Sequence, residues 1–234
     1  MIRRELAAVC RDYLPLVLLS AAAIGLELGR RHFDRAPVYS FLVFNLQLAW
    51  IPAVLSVAAR LLSARWPRAP WIVLGLLALP WLAFFPNAPY LVTDLVNLKW
   101  DNGAPRWYEV ALLSSFGWAG LFVGFASLRD MHDLVGRRAG PARSRIVGWS
   151  FAIAVLLLSA FGIYLGRELR WNSWDILADP AALLADLLEH VRRPHAHPRA
   201  WAMTAVFGTL LGLAYLAYRS VRGASSAGVT SKAG

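Results

Sequence analysis

Charge is the scarcest commodity in this chain. Only 16% of its 234 residues are charged, against about 25% in a typical soluble domain. A water-soluble surface cannot be covered from that supply. Cysteine is nearly absent as well: a lone Cys10 excludes an internal disulfide and any CxxC metal or redox site. No GxSxG, HExxH, Walker loop or GxGxxG occurs, so the common hydrolase, zinc-protease and nucleotide-binding signatures are missing. Histidines are few, and His32, His190, His195 and His197 lack the convergent spacing of a four-ligand metal site. The expectation is no metal and no cofactor. Acidic residues are outnumbered 14 to 24 by basic ones. The basic residues lie in short segments beside apolar runs, where membrane orientation requires them, so nucleic acid is not the expected partner.

What is present is apolar sequence, 58% of the chain. It falls into runs at about 13–29, 38–59, 71–85, 107–128, 146–166 and 201–218. Runs near 18 residues or longer read as spanning helices. The predicted fold is all-α: a polytopic transmembrane bundle of about six spans in one membrane-embedded domain, 1–218. Residues 219–234 read as a disordered tail. The first run has a basic start and a small-residue SAAA stretch, as a signal peptide has. Glu27 followed by Arg30 and Arg31 resembles an interfacial helix end instead, and a retained span is expected. Between runs five and six, Asp179-Pro180 is a good helix start. Leu183, Leu184, Leu187, Leu188 and Val191 then share one face, with Asp186, Glu189 and His190 elsewhere. This predicts an amphipathic surface helix near 180–193.

Six spans put both termini on one side. That side carries 14 Lys and Arg, against 10 on the other. The positive-inside rule then makes both termini cytoplasmic in a multi-pass protein of the cell (inner) membrane. In this orientation the polar residues concentrate at the outer edge, with only scattered Ser and Thr expected in the inner half. Asn45, Gln47, Ser114 and Ser115 are polar and lie well inside their runs. Polar groups at membrane depth are costly and tend to mark sites or pathways, so an outward-opening polar pocket is expected.

Two polar blocks interrupt the apolar pattern. In FFPNAPYLVTDLVNL (84–98), two prolines, an amide and a carboxylate follow a run too short to span: fifteen residues cover roughly 22 Å of a core of about 30 Å. Either the span tilts little and thins the bilayer, or it continues past Phe85 as a broken helix. Backbone amides exposed at such a break could bind an anion or a carbonyl. Asp94 is the candidate catalytic residue, with Asn87 and Tyr90 beside it. Against this stands a plain interfacial turn with Asp94 structurally paired. In GRELRWNSWD (166–175), Arg167 and Arg170 are three apart and can share a helical face as a fork for phosphate or carboxylate. Trp171 and Trp174 suit the headgroup level, and Asn172 and Asp175 complete the candidate binding set. The competing reading is an interfacial belt with internally paired arginines. In run four, Gly117, Gly120 and Gly124 recur at helical spacing and can seat a neighbouring helix closely.

FFPNAPYLVTDL and FGIYLGRELRWNSWDIL together resemble the bacterial membrane-protein family known as domain of unknown function 1361. The resemblance runs from the second run to the sixth. It rests on Phe85, Pro86, Asn87, Ala88, Pro89, Tyr90 and Asp94, and on Gly166, Arg167, Arg170, Trp171, Asn172, Trp174 and Asp175. Glu168 stands where a more apolar residue is expected. The resemblance implies a bacterial polytopic membrane protein and no particular activity. Three functions follow from the residues. One is binding or processing of an anionic lipid headgroup or envelope intermediate at the extracytoplasmic face. The others are an accessory or assembly subunit without its own chemistry, and a small-solute transporter subunit. Whether it is an enzyme stays open. Membrane lipid is the expected surrounding, and a protein partner or a second copy is compatible with each reading.

Overall fold

The computed structural model describes residues 2–33, 39–98, 103–171, 178 and 180–230. All regular structure among them is helical. The main helices are α1 (Ile2–Arg30), α2 (Ser40–Arg65), α3 (Trp71–Phe84), α4 (Asn87–Thr93), α5 (Arg106–Arg138), α6 (Ser144–Glu168), α7 (Pro180–Arg192) and α8 (Pro198–Thr230). Short 3₁₀ turns follow α4 at Asp94–Asn97 and precede α8 at Pro194–Ala196. Among the described residues, six stretches are long and apolar enough to cross a membrane: Ile2–Arg30, Ser40–Arg65, Trp71–Asn97, Arg106–Arg138, Ser144–Glu168 and Pro198–Arg222. The chain is a multi-pass, all-α membrane protein. Contacts divide it into two compact units, 1–144 and 145–234.

The helices outrun the apolar sequence at their ends. α1 begins at Ile2, not Tyr13, and α5 continues to Arg138, ten residues past Leu128. At 1.5 Å per residue α5 is roughly 50 Å long, well beyond a hydrocarbon core of about 30 Å. A helix nucleated in the membrane propagates into its flanks at little cost, so charged flanks become helical. The same propagation carries α8 to Thr230, through most of the segment expected as a disordered tail.

In the first unit, α2 and α5 both pack against α1 and α4, and α2 also meets α3. The shared core contains Tyr39, Leu42, Leu46, Ala88, Leu91, Leu112, Leu113 and Phe116, each at most 2% exposed. The glycines of α5 seat α4. A Cβ on Gly120 would lie 2.6 Å from the Ala88 carbonyl oxygen, and one on Gly124 would lie 2.8 Å from Ala88 Cβ. Only the missing side chains let the two backbones approach. The helix lodged there is the one built from the FFPNAPYLVT sequence.

In the second unit, α6 and α8 meet at Gly208, where a Cβ would come within 2.8 Å of Leu157 Cδ2. Trp149 meets Tyr215 edge-on at 6.0 Å, and Phe161 stacks on Trp201 at 5.9 Å. The amphipathic helix forms over Pro180–Arg192 as expected. Its inward face differs from the leucine pattern: Leu188 is exposed and His190 is buried. His190 Nδ1 donates to the Asp186 carbonyl, which can only accept. Its Nε2 shares a hydrogen bond with the Tyr164 hydroxyl at 3.1 Å. With both ring nitrogens satisfied, an imidazole can be buried where a leucine was expected.

Candidate functional site

The third span is broken, and the break is tight. Pro86 and Pro89 have no N–H, so two helical hydrogen bonds cannot form. The backbone nevertheless keeps right-handed helical angles, φ −56° and ψ −38° at Phe85, and −59° and −23° at Pro86. Ala88 N–H donates to the Phe85 carbonyl at 3.1 Å, and Tyr90 N–H to the Pro86 carbonyl at 3.1 Å. The Asn87 side chain donates at 2.9 Å to the Phe84 carbonyl, whose helical donor, the Ala88 N–H, bonds Phe85 instead. The expectation that the break bares its amides for an anion is therefore corrected. The Ala88 and Tyr90 N–H groups are spent locally, and Asn87 works as an internal cap.

Asp94 closes α4 and is 1% exposed. Its Oδ2 accepts from Asn45 Nδ2 on α2 at 3.2 Å, and its Oδ1 from Asn97 Nδ2 at 3.2 Å. Asn45, a polar residue well inside its span, thus meets Asp94 as a polar site requires. Gln47 does not join them. It lies on the opposite side of α2 and is exposed, because two residues along a helix turn by about 200°. Ser115 Oγ is satisfied by the Leu112 carbonyl of its own helix at 2.7 Å. Tyr90 is half-buried on α4.

Elsewhere among these helix ends, Arg30 and Glu109 form a buried ion pair, Nε to Oε1 at 2.9 Å, with side chains 2% and 1% exposed. The Arg30 guanidinium also lies over the Tyr39 ring, 5.2 Å from its centre. Tyr108 donates to the Leu26 carbonyl at 2.6 Å, and Glu27 pairs with Arg31 at 3.3 Å. The second Glu109 oxygen, Oε2, is buried and has no hydrogen-bond partner among the described residues.

The opposite ends of the same helices carry a larger network that the run boundaries concealed. Asp12 accepts from Arg129 at 2.8 Å and from Arg60 at 3.3 Å. Asp130 Oδ1 accepts from Arg129 at 2.9 Å and Arg60 at 3.3 Å, while Tyr13 donates to its Oδ2 at 3.0 Å. Glu5 receives Arg60 Nε at 2.9 Å. The scattered Ser and Thr expected at this level are replaced by a buried ionic network joining α1, α2 and α5. The sequence held a signal for it: acidic Asp12 and Asp130 sit within the basic flanks of their runs, where orientation requires only positive charge.

In the second unit, α6 stops at Glu168, and Arg170 adopts φ 59°, the left-handed region, unusual for a residue with a side chain. Trp171 N–H then turns back to the Leu165 carbonyl at 3.1 Å. The expected i,i+3 arginine fork is corrected on this ground, since Arg170 lies beyond the helix that carries Arg167. Trp171 Nε1 donates to Asp186 Oδ2 on α7 at 2.9 Å, tying that helix to the end of α6. Glu168 pairs with Arg199 at 3.1 Å. Asn172, Trp174 and Asp175 lie outside the described residues.

Compared with known proteins, the chain matches over residues 44–213 the family described as "Protein of unknown function (DUF1361)". No curated protein and no solved structure matches it.

Proposed function

The chain belongs to the DUF1361 family, and from that premise we propose that it is an inner-membrane protein of bacteria. Its termini are cytoplasmic, and a polar site at its extracytoplasmic face binds or processes an anionic lipid headgroup or envelope intermediate. The observation that carries the reading is Asp94, a carboxylate 1% exposed at the end of a broken span and met there by Asn45 from the neighbouring helix. Ionisable groups held at membrane level are expensive and tend to serve function. Asp94 is the candidate acid–base group, and Tyr90 lies one helical turn before it. In the second unit, taken by itself, Arg167 and Arg170 are candidate anion ligands, with Trp171 at the headgroup level. Arg170 is exposed in a conformation that costs about 1–2 kcal/mol for a residue with a side chain, as functional positions often do.

The test is photocrosslinking in cells from p-benzoylphenylalanine placed at Tyr90. The expected outcome is a lipid-containing adduct that Asp94→Asn abolishes without loss of folded protein. An adduct that survives the change removes the reading. Adducts with a protein alone favour the accessory-subunit reading, which Asn87 and Trp171 also support, since both are engaged in internal hydrogen bonds. Orientation is tested separately in a Cys10→Ser background. Ala142→Cys is expected to react with an impermeant maleimide only after permeabilisation, and Ala104→Cys in intact cells.

A further inference from the structure

At the end of the first unit that carries the N-terminus, an open cavity of about 540 Å³ is lined by Ile2, Arg3, Ala64, Arg65 and Pro67. Its two cations, like the exposed Arg4, differ from the carboxylate-bound arginines of these spans. Arg30, Arg60 and Arg129 are all held by carboxylates. Arg3 and Arg65 are exposed and make no ion pair with any described residue. The nearest carboxylate along α1, Glu5, is taken by Arg60 at 2.9 Å. The groove lies where α1 begins and α2 ends, at the margin of two apolar spans. Trp66 and Trp71 are exposed beside it in sequence, at 48% and 58%, as indoles at a headgroup level are. Two guanidinium groups suit a phosphate, whereas Ile2, Ala64 and Pro67 suit hydrocarbon. A free phosphate uses only the first feature, and an anionic lipid uses both.

We propose that this groove holds the headgroup of an anionic glycerophospholipid, with Arg3 and Arg65 on its phosphate and Ile2, Ala64 and Pro67 against its first acyl carbons. The site is separate from the Asp94 site and independent of it.

The experiment is native mass spectrometry of the delipidated full chain, titrated with phosphatidylglycerol, phosphatidylcholine or inorganic phosphate. Wild type is expected to prefer phosphatidylglycerol. Arg3→Gln/Arg65→Gln should weaken that binding about fivefold for each arginine removed, from the attraction of one cation near an anionic surface. Arg137→Gln/Arg145→Gln removes the same charge elsewhere and should leave binding unchanged. Both groove arginines are exposed, so the lipid-free melting temperature should not move. The assignment is overturned if wild type shows no preference over phosphatidylcholine, or if both double variants lose binding equally. It is also overturned if inorganic phosphate displaces the lipid from wild type.

Discussion

The two ends of the first helical unit solve the same problem differently. Both bury ionisable groups where α1, α2 and α5 converge. At the end bearing the N-terminus, charge meets charge: Asp12 and Asp130 each accept from both Arg60 and Arg129, and three helices are stitched by one network. At the other end the polar groups are divided. Arg30 and Glu109 form one ion pair, side-chain amides meet Asp94, and one Glu109 oxygen is left without a hydrogen bond among the described residues. A shared network distributes the cost of desolvation over several partners. Divided groups leave single atoms to be completed by something else, and that distinguishes a scaffold from a candidate site.

Breaking the first network should have the largest effect. Asp130→Ala leaves Arg60, Arg129 and the Tyr13 hydroxyl without their common acceptor, and about 3–5 kcal/mol of stability should be lost. Chemical unfolding in micelles measures it; a loss below about 1 kcal/mol would show that the network is dispensable. Arg30→Met and Glu109→Leu should each cost a comparable amount alone, whereas the double variant should recover most of it, because an apolar pair needs no desolvation. A double variant as unstable as the singles would mean that the pair has further partners. Next comes the α4 seat. Gly120→Leu should cost about 1–3 kcal/mol through overpacking, and Gly117→Ala much less, since its Cβ would meet Val92 Cα at an ordinary 3.4 Å. The smallest expected change is Asp94→Asn. It replaces an acceptor with an amide facing two amides and should cost about 1 kcal/mol, restored in part by adding Asn45→Asp. If Asp94→Asn were instead as damaging as Asp130→Ala, the two ends would be equivalent scaffolds and the contrast would fail.

Several features were legible from residue order. The shortness of run three left a thinned bilayer or continuation past Phe85 as the alternatives, and the span continues to Asn97. Gly117, Gly120 and Gly124 implied a close neighbour, and α4 occupies that place. Other features were hidden. Drawing a span's end where hydropathy falls put Asp12, Arg60, Arg129 and Asp130 into loops, although backbone hydrogen bonding carries the helix past the last apolar residue. The backbone contact of Asn87 was hidden for a related reason. An amide beside two prolines can face a ligand or repair the backbone, and only the position of the Phe84 carbonyl distinguishes these.

By itself the sequence determined that this chain crosses a membrane about six times, because the transfer of apolar runs from water is a local, additive quantity. It also marked a place where the third span could break, because Pro86 and Pro89 remove two donors within one turn, whereas the single Pro52 and Pro80 stay inside unbroken helices. Tertiary structure decided which polar residues are partners. Tyr13 and Asp130 lie 117 positions apart, and Asn45 and Asp94 lie 49 apart. Such pairings depend on which helix faces meet, and a face is fixed by packing against neighbours that no local pattern describes.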